Sequence, residues 1–223
     1  MGRRKKEPRS VHREHIASAA SVLFMERGIT ATSMDDIAKA AGYSKATIYV
    51  YFKNKEEIVG ILVLNSMKKL YDCISSALVQ QQTTKARYDG ICHGLVQYQE
   101  EFPFYFRMVL DKINIDFDDE ACLPEEKDTY QIGEEINEKI KEFLVCGMEK
   151  GDLRCDLEIM PVIFNFWGML AGIIQLAANK EDYLKKSMGL TKTQFLDYGF
   201  SMLYDSITVR KPSGQAVKRL GGA

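Results

Sequence analysis

Residues 42–55, GYSKATIYVYFKNK, place hydrogen-bonding side chains on a segment too short to bury them all. Ser44 can cap a helix here, and if Ile48 faces inward, that helix presents polar and aromatic groups on its other sides. These groups are Lys45, Thr47, Tyr49 and Tyr51. An ammonium can donate to guanine or phosphate, a threonine can bond a base edge, and a phenol can donate to phosphate. The pattern therefore favours recognition of a nucleic acid.

The spacing predicts a helix-turn-helix over residues 33–52. Ser33 begins a capping box in which Asp36 replaces the usual Glu. Ala38 is small enough for a second helix to cross, and Gly42 tolerates the positive φ that the turn requires. Apolar residues at the inward positions would fix both helices to a core: Ile37, Ala41 and Ile48. In this motif the N-terminal part of the second helix enters the DNA major groove. A solvent-exposed aromatic face is the alternative interpretation, and it stays open for Tyr51 and Phe52.

Positive charge is concentrated around this motif. Up to residue 55 there are 11 lysines and arginines against 5 acidic residues, and the remainder holds 19 against 26. A basic head on an acidic body predicts that the head meets a polyanion. Lys55, in the first turn of a helix that Asn54 would cap, is expected to anchor a phosphate. Residues 1–9 form a predicted flexible basic arm that includes Arg3 and Arg4.

The hydrophobic periodicity predicts an all-α protein. Besides the motif, helices are expected at 11–27, 54–82, 84–100, 103–113, 125–150, 158–179 and 192–208. Loops are expected around the acidic residues 116–120, at 151–152 and around Gly189. The predicted domains are a three-helix DNA-binding domain at 10–70 and a helical regulatory and dimerisation domain at 71–209, followed by a flexible tail at 210–223.

The segment TATSMDDIAKAAGYSKATIYVYFKNKEEI, residues 30–58, resembles the TetR family of bacterial transcription regulators. The resemblance covers roughly residues 10–70. It implies a homodimer of helical subunits that binds a palindromic operator and usually represses, with a small C-terminal effector that usually releases the DNA. The positions that it assigns to DNA contact are Thr32, Ser33, Ser44, Lys45, Ala46, Thr47, Tyr49, Tyr51 and Lys55, with Arg3 and Arg4 of the arm reaching a minor groove. Val50, where other members often carry a larger side chain, leaves the base preference open.

Two C-terminal helices are expected to form the dimer interface. Residues 159–178 carry no charge over about the length that crosses a bilayer. A membrane span is the alternative, but a soluble helix–helix interface explains the composition and needs small residues for close approach. The residues expected at this interface are Gly168, Gly172, Phe195, Tyr198 and Met202. No membrane association is expected.

Aromatic residues cluster at 98–108 and 164–169. They form either a packed core or the apolar lining of an effector pocket with polar anchors. The residues assigned to such a pocket are His93, Tyr98, Phe102, Tyr105, Met108, Phe164, Asn165, Trp167 and Gln175. Two alternatives stay open. The regulator could lack a small effector and be controlled by a protein partner, or it could activate transcription rather than repress it.

The sequence gives little support for an enzyme, a cofactor or a metal site. His12 and His15 have no carboxylate or cysteine at metal-ligand spacing, and His93 stands alone. Asp116, Asp118 and Glu120 resemble the start of a calcium loop, but Lys127 stands where its bidentate Glu should be. Five cysteines without paired spacing, and no secretory signal, predict reduced thiols in a cytoplasmic protein.

Overall fold

The computed structural model describes residues 7–109 and 123–209, which form ten α-helices and no strand, only one isolated bridge between Leu153 and Thr208. The helices are α1 Arg9–Arg27, α2 Met34–Ala41, α3 Lys45–Tyr51, α4 Lys55–Gln80, α5 Thr84–Glu101, α6 Pro103–Met108, α7 Pro124–Glu149, α8 Ile159–Asn179, α9 Glu181–Met188 and α10 Lys192–Ile207. The predicted all-α class is confirmed. Arg3 and Arg4 of the arm, the tail at 210–223 and the acidic residues Asp116, Asp118 and Glu120 lie outside the described residues.

The chain divides into two compact units. Unit 1 comprises residues 1–75 and 94–136, and unit 2 comprises residues 76–93 and 137–223. Helices α4, α5 and α7 each contribute residues to both units.

Local side-chain chemistry defines the short helices of unit 1. The Ser33 hydroxyl accepts from the Asp36 N–H at 3.1 Å, while the Asp36 carboxylate accepts from the Ser33 N–H, which confirms the predicted capping box. Gly42 ends α2 in the left-handed conformation with φ 72°, as the turn requires. The Ser44 hydroxyl then accepts from the Thr47 N–H at 3.1 Å and begins α3.

Unit 1 packs its short helices around one apolar core. The residues of this core with at most 1% exposure include Ile16, Ile37, Ile48, Phe52 and Ile58. Each large aliphatic side chain buried in this way contributes about 1.5–3 kcal/mol. The core therefore fixes the position of α3 although α3 itself has only seven residues.

Unit 2 is built on the packing of α8 against α10. The helices approach closely at Gly199, where an added Cβ would lie 3.2 Å from the Ile173 side chain. Thr191 begins α10 with a capping box to Gln194. The buried Tyr88 hydroxyl of α5 donates to the Phe200 carbonyl at 2.9 Å and ties a third helix to this pair.

The structure corrects the predicted helices at three places. Helix α9 lies directly before Gly189, where the sequence predicts a loop. Helix α4 ends at Gln80 rather than Gln82. Helix α6 ends at Met108, with Val109 in a turn, and residues 110–113 of the predicted 103–113 helix lie outside the described part of the chain.

Candidate nucleic-acid interface

One side of helix α3 packs against the core of unit 1, and its other sides are exposed to solvent. Ile48 is fully buried, and Phe52, directly after the helix, is 1% exposed. Tyr49 is 47% exposed and Val50 is 64% exposed, and Ala46 is also on the surface. The structure therefore assigns Phe52 to the core and leaves the outward side of α3 open for a partner.

The hydroxyls at the start of α3 form a pair. Ser44 Oγ and Thr47 Oγ1 lie 2.8 Å apart on the surface. Each hydroxyl retains further hydrogen-bonding capacity, because a hydroxyl can donate once and accept twice. This pair can present both a donor and an acceptor to a base edge.

Lys45 is joined to α2 by an exposed ion pair. Its Nζ lies 2.8 Å and 3.0 Å from the two carboxylate oxygens of Asp35. The hydrogen bond to Asp35 raises the pKa of Lys45, so the ammonium stays charged. The carboxylate also restricts where the long lysine side chain can point, and sequence spacing did not predict this contact.

The side chain of Thr32 is not at the surface, which corrects its assignment to phosphate contact. Thr32 is 1% exposed, and its hydroxyl donates to the Gly28 carbonyl at 2.9 Å. Ser33, the next residue, is exposed, although its hydroxyl is engaged with Asp36 at 2.6 Å. Thr32 therefore stabilises the loop between α1 and α2 from its inner side.

The Lys55 ammonium binds the same loop. It donates to the Ile29 carbonyl at 2.5 Å and to the Thr32 carbonyl at 2.9 Å. An ammonium has three N–H groups, so two are used within the chain and one is left for a phosphate. The sequence predicted the position of Lys55 at the start of α4 but not this clamp on the loop.

Tyr51 belongs to a cluster of rings between α1 and α3. Its ring centre lies 5.2 Å from that of His12 and 6.2 Å from that of Tyr43. The Tyr43 hydroxyl lies 2.7 Å from His12 Nδ1, and His15 Nε2 lies 3.0 Å from the Ala41 carbonyl oxygen. Tyr51 is half-buried in this cluster, so its ring serves mainly to attach α3 to α1. The two histidines thus support the motif.

The residues assigned to an effector pocket fall in both units. In unit 1, Tyr98 and Met108 are buried, and Phe102 stacks on Tyr105 at 6.1 Å between ring centres. The Tyr98 hydroxyl bonds the Ser66 hydroxyl at 2.8 Å and the Ser66 carbonyl at 3.0 Å. These contacts are those of a packed core.

In unit 2 the assigned pocket residues do not form one lining. His93 is on the surface, Phe164 is 62% exposed, and the exposed Asn165 amide donates to the Pro161 carbonyl. Trp167 is half-buried. Gln175 is half-buried too, and its Oε1 is a buried atom without a hydrogen-bond partner. The side chains of His93, Phe164 and Asn165 therefore lie at the surface, and their assignment to an effector pocket stays a prediction.

Helices α8 and α10 expose apolar side chains that unit 2 leaves uncovered. Among the described residues, no atom beyond the adjacent residues and the backbone of α8 lies within 4 Å of a Cβ built on Gly168 or Gly172. Tyr198 is 70% exposed and Met202 is 56% exposed, whereas Phe195 is half-buried. By length and composition α8 could cross a membrane, and 22% of its most apolar stretch is buried within the chain. In the part of the chain that the structure describes, no three His, Cys, Asp or Glu side chains are placed to hold a metal ion.

Comparison with known proteins identifies the N-terminal motif. Residues 16–60 match the model for bacterial regulatory proteins of the tetR family. The HTH-type transcriptional regulator TtgR of Pseudomonas putida is 39% identical over 77 residues, which cover 34% of this chain and 36% of that protein. This match therefore spans about a third of the relative's length.

Two further proteins resemble the chain over most of its length. IcaR of Staphylococcus aureus, a negative transcriptional regulator of the biofilm operon icaADBC, is 24% identical over 202 residues, which cover 86% of this chain and 96% of that protein. The structure of the ketosteroid transcriptional regulator KstR2 of Mycobacterium tuberculosis superposes with a TM-score of 0.65 at 20% identity, covering 92% of this chain and 98% of that chain.

These matches decide the class of protein. The matching family consists of DNA-binding transcription regulators, which confirms the prediction that the chain is not an enzyme. The match at residues 16–60 includes the helix-turn-helix that begins at Ser33 and whose second helix is α3. Residues 16–60 therefore belong to the N-terminal domain of the tetR family of bacterial regulatory proteins, and the relatives and the fold agree with this assignment.

Proposed function

We propose that this protein is a transcriptional repressor that binds a palindromic DNA operator as a homodimer in the bacterial cytoplasm. The observation that carries the proposal is α3, a short helix fixed by Ile48 and Phe52 whose other side presents hydrogen-bonding groups. Repression is favoured by the likeness to IcaR, which is named as a negative regulator.

The proposed DNA contacts divide into base readers and phosphate anchors. Lys45 and Thr47 are the base readers, because they lie in the first turn of α3, which enters the major groove in this motif. Tyr49 and the remaining N–H of Lys55 are anchors for phosphates. The smaller contributions come from Ser33, Ser44, Ala46 and Tyr51, and Arg3 and Arg4 of the arm add contacts in a minor groove.

The proposed dimer forms through α8 and α10. The exposed side chains Phe164, Tyr198 and Met202 are the apolar area that a second copy would cover. Gly168 and Gly172 leave room for the partner's helix, because no described atom beyond α8's own backbone and the adjacent residues lies within 4 Å of a Cβ built on either glycine. This explanation accounts for the apolar surface of α8 without a membrane.

We further propose that a small apolar or aromatic effector releases the DNA. Support comes from Gln175 Oε1, a buried acceptor without a partner, which a ligand donor would satisfy. A protein of this fold, KstR2, is a ketosteroid transcriptional regulator, and ketosteroids are largely apolar compounds, which supports the proposal. A regulator without a small effector, controlled by a protein partner, is the second candidate, and the buried Tyr98 and Met108 favour it.

Selection of genomic DNA fragments on the purified protein tests the proposal. We expect enrichment of a palindrome whose half-sites are centred one or more helical turns apart, because two α3 helices related by a two-fold axis read them. The matched control is the same selection with a Lys45→Ala, Thr47→Ala double variant. Equal recovery of all fragments by the wild-type protein would contradict operator binding.

A further inference from the structure

Arg13 of α1 makes three contacts with other parts of unit 1, at the start of α7 and at the end of α3. Its Nη2 lies 2.6 Å from Glu125 Oε1 on α7, and its Nη1 donates to the Tyr51 carbonyl at the end of α3 at 3.2 Å. The guanidinium carbon also lies 4.6 Å from the centre of the Phe52 ring. One side chain therefore joins the first turn of α7 to the last residue of the candidate recognition helix.

The ion pair is shielded from solvent. The side chains of Arg13 and Glu125 are 20% and 19% exposed. A pair that is this far buried is screened less than a surface pair, and loss of one partner leaves the other charge without compensation. Such a contact can hold elements in place where an exposed ion pair would not.

Two arginines donate hydrogen bonds to the last carbonyls of α3. The last carbonyls of a helix lack partners within the helix. Arg9 donates to the Val50 carbonyl at 2.8 Å, and Arg13 donates to that of Tyr51. Arg13 is in turn bound to a carboxylate of another helix, and no such contact of Arg9 is present among the described residues.

A cleft open to solvent adjoins this contact. It measures about 360 Å³ and lies beside the end of α3, lined by residues that include Arg9, Tyr49, Lys53, Leu123 and Pro124. Arg13 and Glu125 line the same cleft, so among the described residues their ion pair is a direct side-chain connection across it.

Glu125 is itself held by its helix. The Leu123 N–H donates to Glu126 and caps α7, while the Glu125 carbonyl accepts from the Thr129 hydroxyl at 2.7 Å. A Cβ added at Gly60 of α4 would lie 4.0 Å from the Glu125 Cβ, so the first turn of α7 rests on α4. The carboxylate thus has a defined position from which to orient Arg13.

We propose that Arg13 and Glu125 are positioning residues for DNA recognition, and that the first turn of α7 is a functional part of the DNA-reading head. This inference rests on the proposed function of α3. Hydrogen bonds to base edges require placement within about 0.5 Å, so a shift of α3 weakens several of them together. Contacts with phosphates tolerate such a shift better, because charge attraction has little directional demand.

The two possible roles of Glu125, positioning Arg13 and repelling phosphates by its charge, predict opposite changes in operator affinity when the carboxylate is removed. A carboxylate near bound DNA repels phosphates, so its removal by charge alone would strengthen binding to every duplex. Loss of positioning weakens binding to the operator and leaves binding to unrelated DNA unchanged or stronger. The ratio of the two affinities therefore separates the two roles.

The experiment compares Glu125→Gln with Asp128→Asn, which removes one exposed carboxylate from the same helix. Fluorescence anisotropy measures affinity for the operator selected by the wild-type protein and for a scrambled duplex of the same composition. We expect Glu125→Gln to lower operator affinity by about tenfold without loss on the scrambled duplex. Asp128→Asn should leave the ratio unchanged.

Glu125→Asp provides a second test without a change of charge. The shorter side chain withdraws the carboxylate from Arg13, so operator affinity should fall while affinity for the scrambled duplex stays constant. In a double-mutant cycle, Arg13→Gln should reduce the operator-to-scrambled ratio less in the Glu125→Gln background than in the wild type.

Equal ratios for Glu125→Gln, Glu125→Asp and Asp128→Asn would overturn the inference while leaving the proposed function intact. A wild-type protein that prefers no duplex would overturn the proposed function and this inference with it.

Discussion

Replacing Lys55 with methionine tests the ammonium as a clamp on the loop before α2. The methionine keeps most of the apolar stem and removes the bonds to the Ile29 and Thr32 carbonyls, which measure 2.5 Å and 2.9 Å. Hydrogen bonds to charged groups contribute about 1.5–3 kcal/mol each, and partial exposure of this site reduces them to about 1–2 kcal/mol. The free energy of unfolding should fall by about 2–4 kcal/mol. For a chain of this size, 3 kcal/mol corresponds to roughly 9 °C in the unfolding midpoint.

Thermal unfolding followed by circular dichroism measures this loss. Lys53→Met is the matched control, because Lys53 is an exposed lysine two residues before Lys55. A Lys55→Met midpoint within about 2 °C of the control would refute the clamp, since about 2 kcal/mol is the least that the two bonds supply. The salt dependence of operator binding independently tests whether the third N–H of Lys55 contacts a phosphate. If it binds a phosphate, the slope of log affinity against log salt should fall by about 1.8, because each of the two subunits loses one contact of about 0.9, and an unchanged slope would remove Lys55 from the DNA contacts.

Three further outcomes follow from the described residues. Thr47→Ala should weaken operator binding by about tenfold, because a base contact is lost, and should leave dimerisation unchanged in light scattering. The Ser44 cap on the Thr47 N–H remains in this variant. Wild-type affinity would exclude Thr47 as a base reader. Phe164→Glu should shift the protein to monomers in light scattering. Phe164 is 62% exposed on α8, and the partner subunit would bury a charge at this position. An intact dimer would place the interface elsewhere. Burial raises the pKa of Cys92 to about 12, so its reactive thiolate is scarce at pH 8 and increases about tenfold per pH unit. Iodoacetamide followed by peptide mass spectrometry should therefore label the exposed Cys155 at least tenfold faster, and equal rates would contradict the burial of Cys92.

The sequence predicted those parts of the motif whose causes are local. Ser33, Gly42 and Ser44 each satisfy a backbone group within five residues of themselves, so their roles follow from residue type and spacing. Asn54 likewise accepts from the Glu57 N–H at 3.0 Å and begins α4 as expected. The all-α class followed from the same short-range patterns.

Contacts between distant residues could not be predicted in this way. Lys55 binds carbonyls 26 and 23 positions earlier, and Arg13 binds Glu125 across 112 positions. Nothing in the local sequence shows that such groups meet. The same limit applies to the aromatic segments, because composition does not distinguish the buried Tyr98 from the exposed Phe164.

The missed helix α9 had recognisable signals. Acidic residues occupy its first turn and basic residues its last turn, which suits the helix dipole, and Gly189 follows in the left-handed conformation. Gly189 marks the end of a helix rather than the centre of the predicted loop.

The attachment of α3 also bears on how its target sequence can change. Of its seven residues only Ile48 is fully enclosed, so the outward positions at 45–47 and 49–50 make few demands on the core. Substitutions at exposed positions usually change stability by less than about 0.5 kcal/mol. Related proteins can therefore acquire new operators through a few exchanges on one surface while the remainder of the fold stays the same, and the same positions are the natural targets for redesigning specificity.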